Sequence, residues 1–253
     1  MGGSTFAFIN LTNALNEAGY EAILYGPHEW HLDKCKSGLL KDFKPTATDS
    51  LIVHFLQLQS RPQCRNVILN CHEKDVFEVS KVKPFWDKIV FLNEKQRKYH
   101  SNYYGTCEII PNLKENLTKK PKDKSVEKVA GVIGSIDPNK RTDMSIMRAL
   151  NKGYEKVIVF GNVSDVNYYN SVVKPLIDEH DNVFEYGFIS DKEKMYEMIG
   201  AAFLSSKSEV ASLVKDECET NGTKFYGNKA TEHDVIGLTN DEIIKEWVKT
   251  LSL

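Results

Sequence analysis

Short apolar runs alternate with amphipathic segments along this chain, and this alternation is the feature that most limits its fold. Between the runs, apolar residues return at helical spacing, as Phe8, Leu11 and Leu15 do. The runs are apolar on both faces, as buried parallel strands are. The alternation therefore predicts an α/β chain with βα units around parallel sheets. The predicted strands are residues 21–25, 51–55, 67–70, 88–92, 108–110, 129–134, 156–160, 183–186 and 201–204.

The helix signals are clearest in the second half of the chain. Thr239 and Glu242 have the spacing of a capping box, which predicts a last helix running through Trp247. The other helices predicted there are residues 142–151, 165–178 and 191–199.

A lysine-rich segment with one proline, residues 114–128, interrupts the alternation and offers little to bury. We interpret it as an interdomain linker, although a solvated helix face or a long surface loop would have the same composition. The prediction is an N-terminal Rossmann-like domain over 1–113 and a C-terminal Rossmann-like domain over 129–253.

The composition excludes several classes of function. Of the 253 residues 41% are hydrophobic, and 33 basic against 35 acidic side chains give a formal net charge of −2. Near-neutral charge disfavours a protein whose main work is to coat nucleic acid. No apolar run approaches the roughly 18 residues of a membrane span, and the start lacks the basic segment of a signal peptide. We therefore expect a cytoplasmic protein.

Five cysteines form no CxxC pair and are odd in number, so neither a disulfide framework nor a zinc site is expected. No complete GxGxxG or P-loop motif occurs either, which disfavours the common dinucleotide and P-loop folds.

Two α/β halves predict a cleft at the carboxyl ends of both sheets, where ligands of such folds bind. His72 directly follows an apolar strand, so it could position a substrate, although an isolated histidine is more often structural. Lys140 and Arg141 lie where a strand turns into a helix, a place at which cations and free N–H groups can bind a diphosphate together. A solvated basic pair is the alternative.

Three other positions are candidates. Gly3, after Gly2 and before the first helix, would allow a phosphate to approach the backbone, or is a frayed start. Glu209 and Glu217 are eight residues apart, so a helix through both would place them on roughly one face. If Glu209 instead precedes the helix, the two carboxylates could reach different parts of one ligand.

The order of these pieces resembles that of a retaining GT-B glycosyltransferase, most closely of the large glycosyltransferase family 4. The segment GGSTFAFINLTNALNEAGYEAILYG resembles that family's opening loop, helix and second strand, and residues 87–100 followed by IPN resemble a later strand, short helix and turn. Glu209 and Glu217 match the E-x7-E motif, and Gly222 matches its trailing glycine. The resemblance spans about residues 2–228.

The resemblance implies a nucleotide-diphosphate sugar as donor substrate, no cofactor, no metal and retained anomeric configuration. It also implies that the C-terminal domain, 129–253, binds the nucleotide sugar and that the N-terminal domain, 1–113, lies on the acceptor side. Arg141 would bind the diphosphate with Lys140 beside it. Glu209 would contact donor-sugar hydroxyls, and Glu217 would accept hydrogen bonds from the ribose.

The remaining positions follow from the same resemblance. Gly187 and Phe188 would meet the base through their backbone, and His72 would lie near the anomeric centre. Gly3 would approach the phosphate. His72, Arg141 and Glu209 are thus the expected catalytic residues.

The sequence departs from the family in ways that put activity in doubt. The family begins with a strand before the glycine pair, so the N-terminal sheet is expected to lack its first strand. Ser135 stands where an arginine is frequent, and residues 209–212, Glu-Val-Ala-Ser, replace an EGFG-like segment.

The leading interpretation is a glycosyltransferase with an unknown acceptor, whether a glycan, a lipid-linked sugar or a small molecule. A catalytically degenerate binding or assembly module of the same fold is the first alternative. A transferase that modifies a nucleic-acid base and an unrelated two-domain enzyme such as a sugar-phosphate epimerase are the others.

Overall fold

The computed structural model describes residues 3–29, 32–54, 58, 60–74, 85–100, 105–115, 117–119, 121–233 and 237–252. Two compact units account for these residues. The N-terminal unit comprises Gly2–Leu113 together with His233–Leu253, and the central unit comprises Lys114–Glu232.

The N-terminal unit contains two parallel sheets. The strands β1 (Leu24–Gly26) and β2 (Ser37–Leu39) pair with each other. A second sheet has four strands in the order β3-β4-β5-β6. These strands are β3 (Ser50–Val53), β4 (Asn66–Cys71), β5 (Lys88–Phe91) and β6 (Cys107–Ile109). The helices of this unit are α1 (Gly3–Glu17), α2 (Glu94–Tyr99) and α8 (Asn240–Leu251).

Helix α1 packs its apolar stripe on this unit's core. Leu11 and Leu15 are buried against Ile68 of β4 and Val90 of β5. The same helix contacts β1, so it covers parts of both sheets. Within the described residues no strand joins β1 to β3.

The central unit has one five-stranded parallel sheet in the order β11-β10-β7-β8-β9. Its strands are β7 (Val129–Ile133), β8 (Lys156–Phe160), β9 (Val183–Gly187), β10 (Ala201–Phe203) and β11 (Lys224–Tyr226). Its helices are α3 (Thr142–Asn151), α4 (Val166–Tyr168), α5 (Lys174–Glu179), α6 (Lys192–Glu197) and α7 (Leu213–Asn221). A π-helical segment, Tyr169–Val173, connects α4 to α5. The middle residues of β7 and the apolar residues of β8 and β10 are almost fully buried in the core of this unit.

The last helix, α8, belongs to the N-terminal unit and not to the C-terminal domain in which it was expected. Helix α8 begins at the predicted capping box, with Thr239 as its N-cap. Its buried Ile243, Trp247 and Leu251 join the core of the N-terminal unit. Asn66 Nδ2 donates a hydrogen bond to the carbonyl of Leu251 at 2.9 Å. The expected domain of 129–253 therefore needs correction at its C-terminal end.

The predicted linker also differs from expectation, because much of it packs on the central unit. Leu117 contacts that unit's core, and Lys122 Nζ donates a hydrogen bond to the carbonyl of Tyr196 at 2.6 Å. The N–H of Thr118 donates to Glu193 at 2.7 Å. The lysine-rich composition gave no indication of these contacts, because only a few residues of the segment make them.

Candidate functional site

The topology of the central sheet marks one place where a ligand can bind. The chain starts in the middle of the sheet at β7, builds outward through β8 to β9, and then returns to add β10 on the other side of β7. Open parallel sheets bind ligands at such a switch point, outside the carboxyl ends of the strands. The loops that follow β7 and β10 are therefore expected to carry the functional side chains.

The loop after β7 is held in a fixed turn. Asp137 Oδ1 accepts hydrogen bonds from the backbone N–H groups of Asn139 and Lys140, at 2.8 and 2.9 Å. Arg141 follows in the left-handed conformation with φ 51° and is the N-cap of α3. Non-glycine residues adopt this conformation infrequently, and such strain is concentrated at functional sites.

Close backbone packing supports the start of this loop. Gly134 lies against Gly161, where a Cβ atom would come within 1.8 Å of the Gly134 carbonyl oxygen. Position 161 therefore accepts only glycine. This glycine allows the backbone segments that follow β7 and β8 to approach each other.

The loop after β10 is bonded directly to the loop after β7. The N–H of Lys207 donates to the carbonyl of Asn139 at 2.7 Å, and the N–H of Ser208 donates to Asn139 Oδ1 at 3.2 Å. These bonds bring the two loops together at the switch point. The side chains they carry are consequently held in one place.

Lys140 and Glu209 form the central contact of this site. Glu209 Oε1 accepts a hydrogen bond from Lys140 Nζ at 2.5 Å and another from Ser206 Oγ at 2.6 Å. The Glu209 side chain is 11% exposed and that of Lys140 is 28% exposed, so a ligand can still reach both. Within the described part of the chain, the Arg141 guanidinium makes no hydrogen bond or ion pair, and it remains available for an anion.

Glu217 has a different environment from Glu209. Glu209 precedes α7, whose N-cap is Ser212, whereas Glu217 lies inside the helix and is buried. The first of the two alternatives, one helix through both glutamates, is therefore wrong. No hydrogen bond or ion pair of the described residues joins Glu217 to Lys140 or Arg141.

Both carboxylate oxygens of Glu217 have partners inside the central unit. Oε1 accepts from Lys192 Nζ at 2.6 Å and Oε2 from the Tyr196 hydroxyl at 2.7 Å. Burial raises the pKa of Glu217 although Lys192 opposes the shift. Burial also lowers the pKa of Lys192, but Glu217 and Glu115 outweigh it, so this pKa is raised above its ordinary value.

Gly187 and Phe188, which are predicted to contact the base, lie at the carboxyl end of β9. Gly187 ends β9 with φ 80°, and its carbonyl accepts a hydrogen bond from the Gly161 N–H at 2.9 Å. Phe188, which follows, is 44% exposed. The role of both residues stays a prediction.

Two other predicted residues lie in the N-terminal unit. Gly3 is the first residue of α1. His72 follows the carboxyl end of β4, with its ring 5.2 Å from that of Phe8 and 5.0 Å from that of His54. Burial, with a smaller contribution from His54, lowers the pKa of His72 to about 3, so the ring is neutral at pH 7.

Sequence reasoning missed His54 and Glu73. His54 Nε2 lies 3.6 Å from Glu73 Oε1, and both side chains are less than a fifth exposed. The sequence did carry a signal, because His54 directly follows β3 just as His72 directly follows β4. Neighbouring parallel strands bring such residues to the same edge of a sheet.

Two absences apply to the described residues. No group of three or more His, Cys, Asp or Glu side chains there is arranged to hold a metal ion. No helix in those ranges has both the length and the apolar character needed to cross a membrane.

No protein-family model and no curated protein matches this chain. Several solved structures do. The structure of HepE from Anabaena in complex with UDP-glucose matches with a TM-score of 0.68 and 12% identity, over 100% of this chain and 88% of HepE. Sucrose-phosphate synthase from Thermosynechococcus elongatus matches with a TM-score of 0.64 and 13% identity, over 90% of this chain and 76% of the synthase. TarM matches with a TM-score of 0.53 and 18% identity over 74% of this chain, which spans only 43% of TarM.

At identities this low, the structural matches establish a shared fold and nothing more specific. The matched structures are GT-B proteins with Rossmann-like domains, and the parallel sheets of both units agree with them. The predicted fold class is confirmed: this chain has an α/β fold of the GT-B kind.

Proposed function

We propose that this protein is a glycosyltransferase that moves a sugar from a nucleoside diphosphate sugar to an acceptor, with retention of anomeric configuration. The observation that carries the proposal is the cluster of Lys140, Arg141 and Glu209 at the switch point of the central sheet. Two cations and a carboxylate there suit a ligand that has both a diphosphate and hydroxyl groups.

The cations stabilise the leaving group. When the glycosidic bond breaks, negative charge develops on the departing diphosphate, and fixed positive charge lowers the energy of that state. Arg141 stands directly before α3, so its guanidinium acts together with the positive end of the helix dipole. This charge is supplied by the chain itself, and we propose that the transfer needs no metal.

The carboxylate positions the donor sugar. Glu209 already accepts hydrogen bonds from Lys140 and Ser206, and a sugar hydroxyl is a donor of the same kind. In this proposal Lys140 shifts part of its hydrogen bonding to the diphosphate when the donor binds. Glu209 then contacts the sugar without becoming an isolated charge.

The remaining roles come from the resemblance to family 4. Gly187 and Phe188 contact the base, His72 lies near the anomeric centre, and Gly3 approaches the phosphate. Glu217 contacts the ribose, for which one of its bonds to Lys192 or Tyr196 has to be exchanged.

The similar structures suggest the first donor to test. HepE was solved in complex with UDP-glucose, and a pneumococcal O-GlcNAc transferase with UDP and GlcNAc. We therefore propose a UDP-sugar as donor.

The test is consumption of UDP-glucose and UDP-GlcNAc by purified protein, with release of UDP as the readout. Arg141→Ala should lower the rate by about tenfold or more, since one contact to transition-state charge is worth up to roughly 10²–10³ in rate. Glu209→Gln should also lower it by about tenfold or more, because it removes the charged acceptor for a donor-sugar hydroxyl. Glu219→Gln is the matched control, because Glu219 is exposed on α7. Full activity in both site variants would remove these residues from the mechanism.

A second candidate function is a catalytically degenerate module that keeps the fold for binding or assembly. The observation in its favour is that both oxygens of Glu217 are engaged by Lys192 and Tyr196. Turnover of any nucleotide sugar by the wild-type protein would exclude this candidate.

A further inference from the structure

Polar side chains without partners gather at the carboxyl end of β4 in the N-terminal unit. Asn70 Oδ1, His72 Nε2 and Glu73 Oε2 are each buried, and none has a hydrogen-bond partner in the part of the chain that the structure describes. Native proteins leave few buried polar groups unpaired. Three such atoms within four consecutive residues indicate that a polar group binds among them.

The chemistry of these atoms narrows the choice of ligand. Asn70 Oδ1 and the Glu73 carboxylate only accept hydrogen bonds, and the neutral ring of His72 can either donate or accept. An anion would be repelled by both oxygens. A hydroxyl group, which donates one hydrogen bond and accepts others, can satisfy the carboxylate and the imidazole together.

The neighbouring side chains hold this arrangement in place. His54 contacts Glu73 Oε1 through Nε2 at 3.6 Å and the Asn70 carbonyl through Nδ1 at 3.3 Å. The Phe8 ring stacks on His54 with centroids 4.9 Å apart. The Oε1 side of Glu73 is therefore oriented by His54, while Oε2 is left for a ligand.

We propose that Asn70, His72 and Glu73 form a subsite for a hydroxyl group of a sugar in the N-terminal unit. Its assignment to the acceptor rests on the proposed transferase function, whereas hydroxyl binding itself does not. Glu73 is the principal binding residue, and His54 is a positioning residue that acts through it. A buried water with the same hydrogen bonds is the competing occupant.

The test is a titration of the full chain, without any donor, with glucose, galactose, N-acetylglucosamine and glycerol. The imidazole resonances of His72 and His54 report binding by NMR. At least one of these compounds should shift the His72 signal in a saturable way. Glu73→Ala should weaken that binding by about tenfold, as loss of a hydrogen bond to a charged group does. Glu73→Gln, which keeps an accepting oxygen, should weaken it less.

Glu94→Ala is the matched control, because Glu94 is a partly exposed carboxylate of the same unit, paired with Arg97. If the His72 signal moves with none of the four compounds, or equally in wild type and Glu73→Ala, the cluster holds a water only and the proposal is overturned. A parallel titration with UDP separates the two claims. Binding of UDP without sugar binding at His72 overturns the subsite alone. Sugar binding at His72 without any binding of UDP counts against the donor site alone.

Discussion

Two glutamates eight residues apart have different surroundings in this protein. Glu209 meets Lys140 at the edge of the central sheet and keeps access to a ligand, whereas Glu217 is buried with Lys192 and Tyr196. Spacing alone predicted that both would be near one ligand. It could not show that α6 supplies a lysine to one of them, because that contact depends on packing between helices.

The contacts of the partly buried Lys192 give a prediction for stability. Lys192→Met would leave Glu217 and Glu115 without their shared cation, and breaking a buried ion pair costs about 3 kcal/mol. We expect the free energy of unfolding to fall by about that amount, as measured in urea. The exposed Lys194 on the same helix provides the control, and Lys194→Met should change stability little. Equal effects of the two substitutions would contradict the assignment of Lys192 to a buried network.

At the scale of elements, the sequence predicted the strongly patterned segments well. Strand β8 and helix α3 have the predicted bounds, and the capping box at Thr239 begins the last helix as expected. The three-residue strands β2 and β11 were missed, because so short a run carries no periodicity. The pattern of α8 showed an apolar stripe but not which core would receive it. That choice depends on the complementary surface of α1 and β4.

The docking of α8 gives a prediction at this scale. Trp247 is 3% exposed and packs with Leu11 and Leu15. Trp247→Ala should destabilise the N-terminal unit by about 4 kcal/mol, the usual cost of truncating a buried aromatic.

Amide hydrogen exchange can locate this effect. Protection should fall in β3, β4 and α1, while the strands of the central unit keep theirs. Lys245→Ala, at an exposed position of the same helix, should change neither. A loss of protection confined to the central unit would show that α8 supports that unit instead.

At the scale of the whole molecule, two parallel-sheet units carry separate clusters of polar side chains. The central unit carries Lys140, Arg141 and Glu209 at its switch point, and the N-terminal unit carries His72 and Glu73 at the end of β4. Each of these residues lies in the segment that follows a parallel strand. Because ligands of parallel sheets bind at the carboxyl ends of strands, the positions of Lys140 and His72 could be predicted from the sequence. Glu73 and His54 needed the structure, because their significance lies in unpaired atoms and in the register of β3 against β4.

The central claim is that the switch point of the central sheet binds a nucleoside diphosphate. The most direct measurement is thermal unfolding of the wild-type protein and of Arg141→Ala with UDP, GDP, ADP, CDP and TDP. A ligand at about 100 times its dissociation constant stabilises the folded state by about 2.7 kcal/mol, which raises Tm by several degrees in a chain of this size. The account predicts a rise in Tm with UDP that is lost in Arg141→Ala, while the Tm values without nucleotide remain alike. No rise with any of the five nucleotides, or the same rise in both proteins, would contradict it.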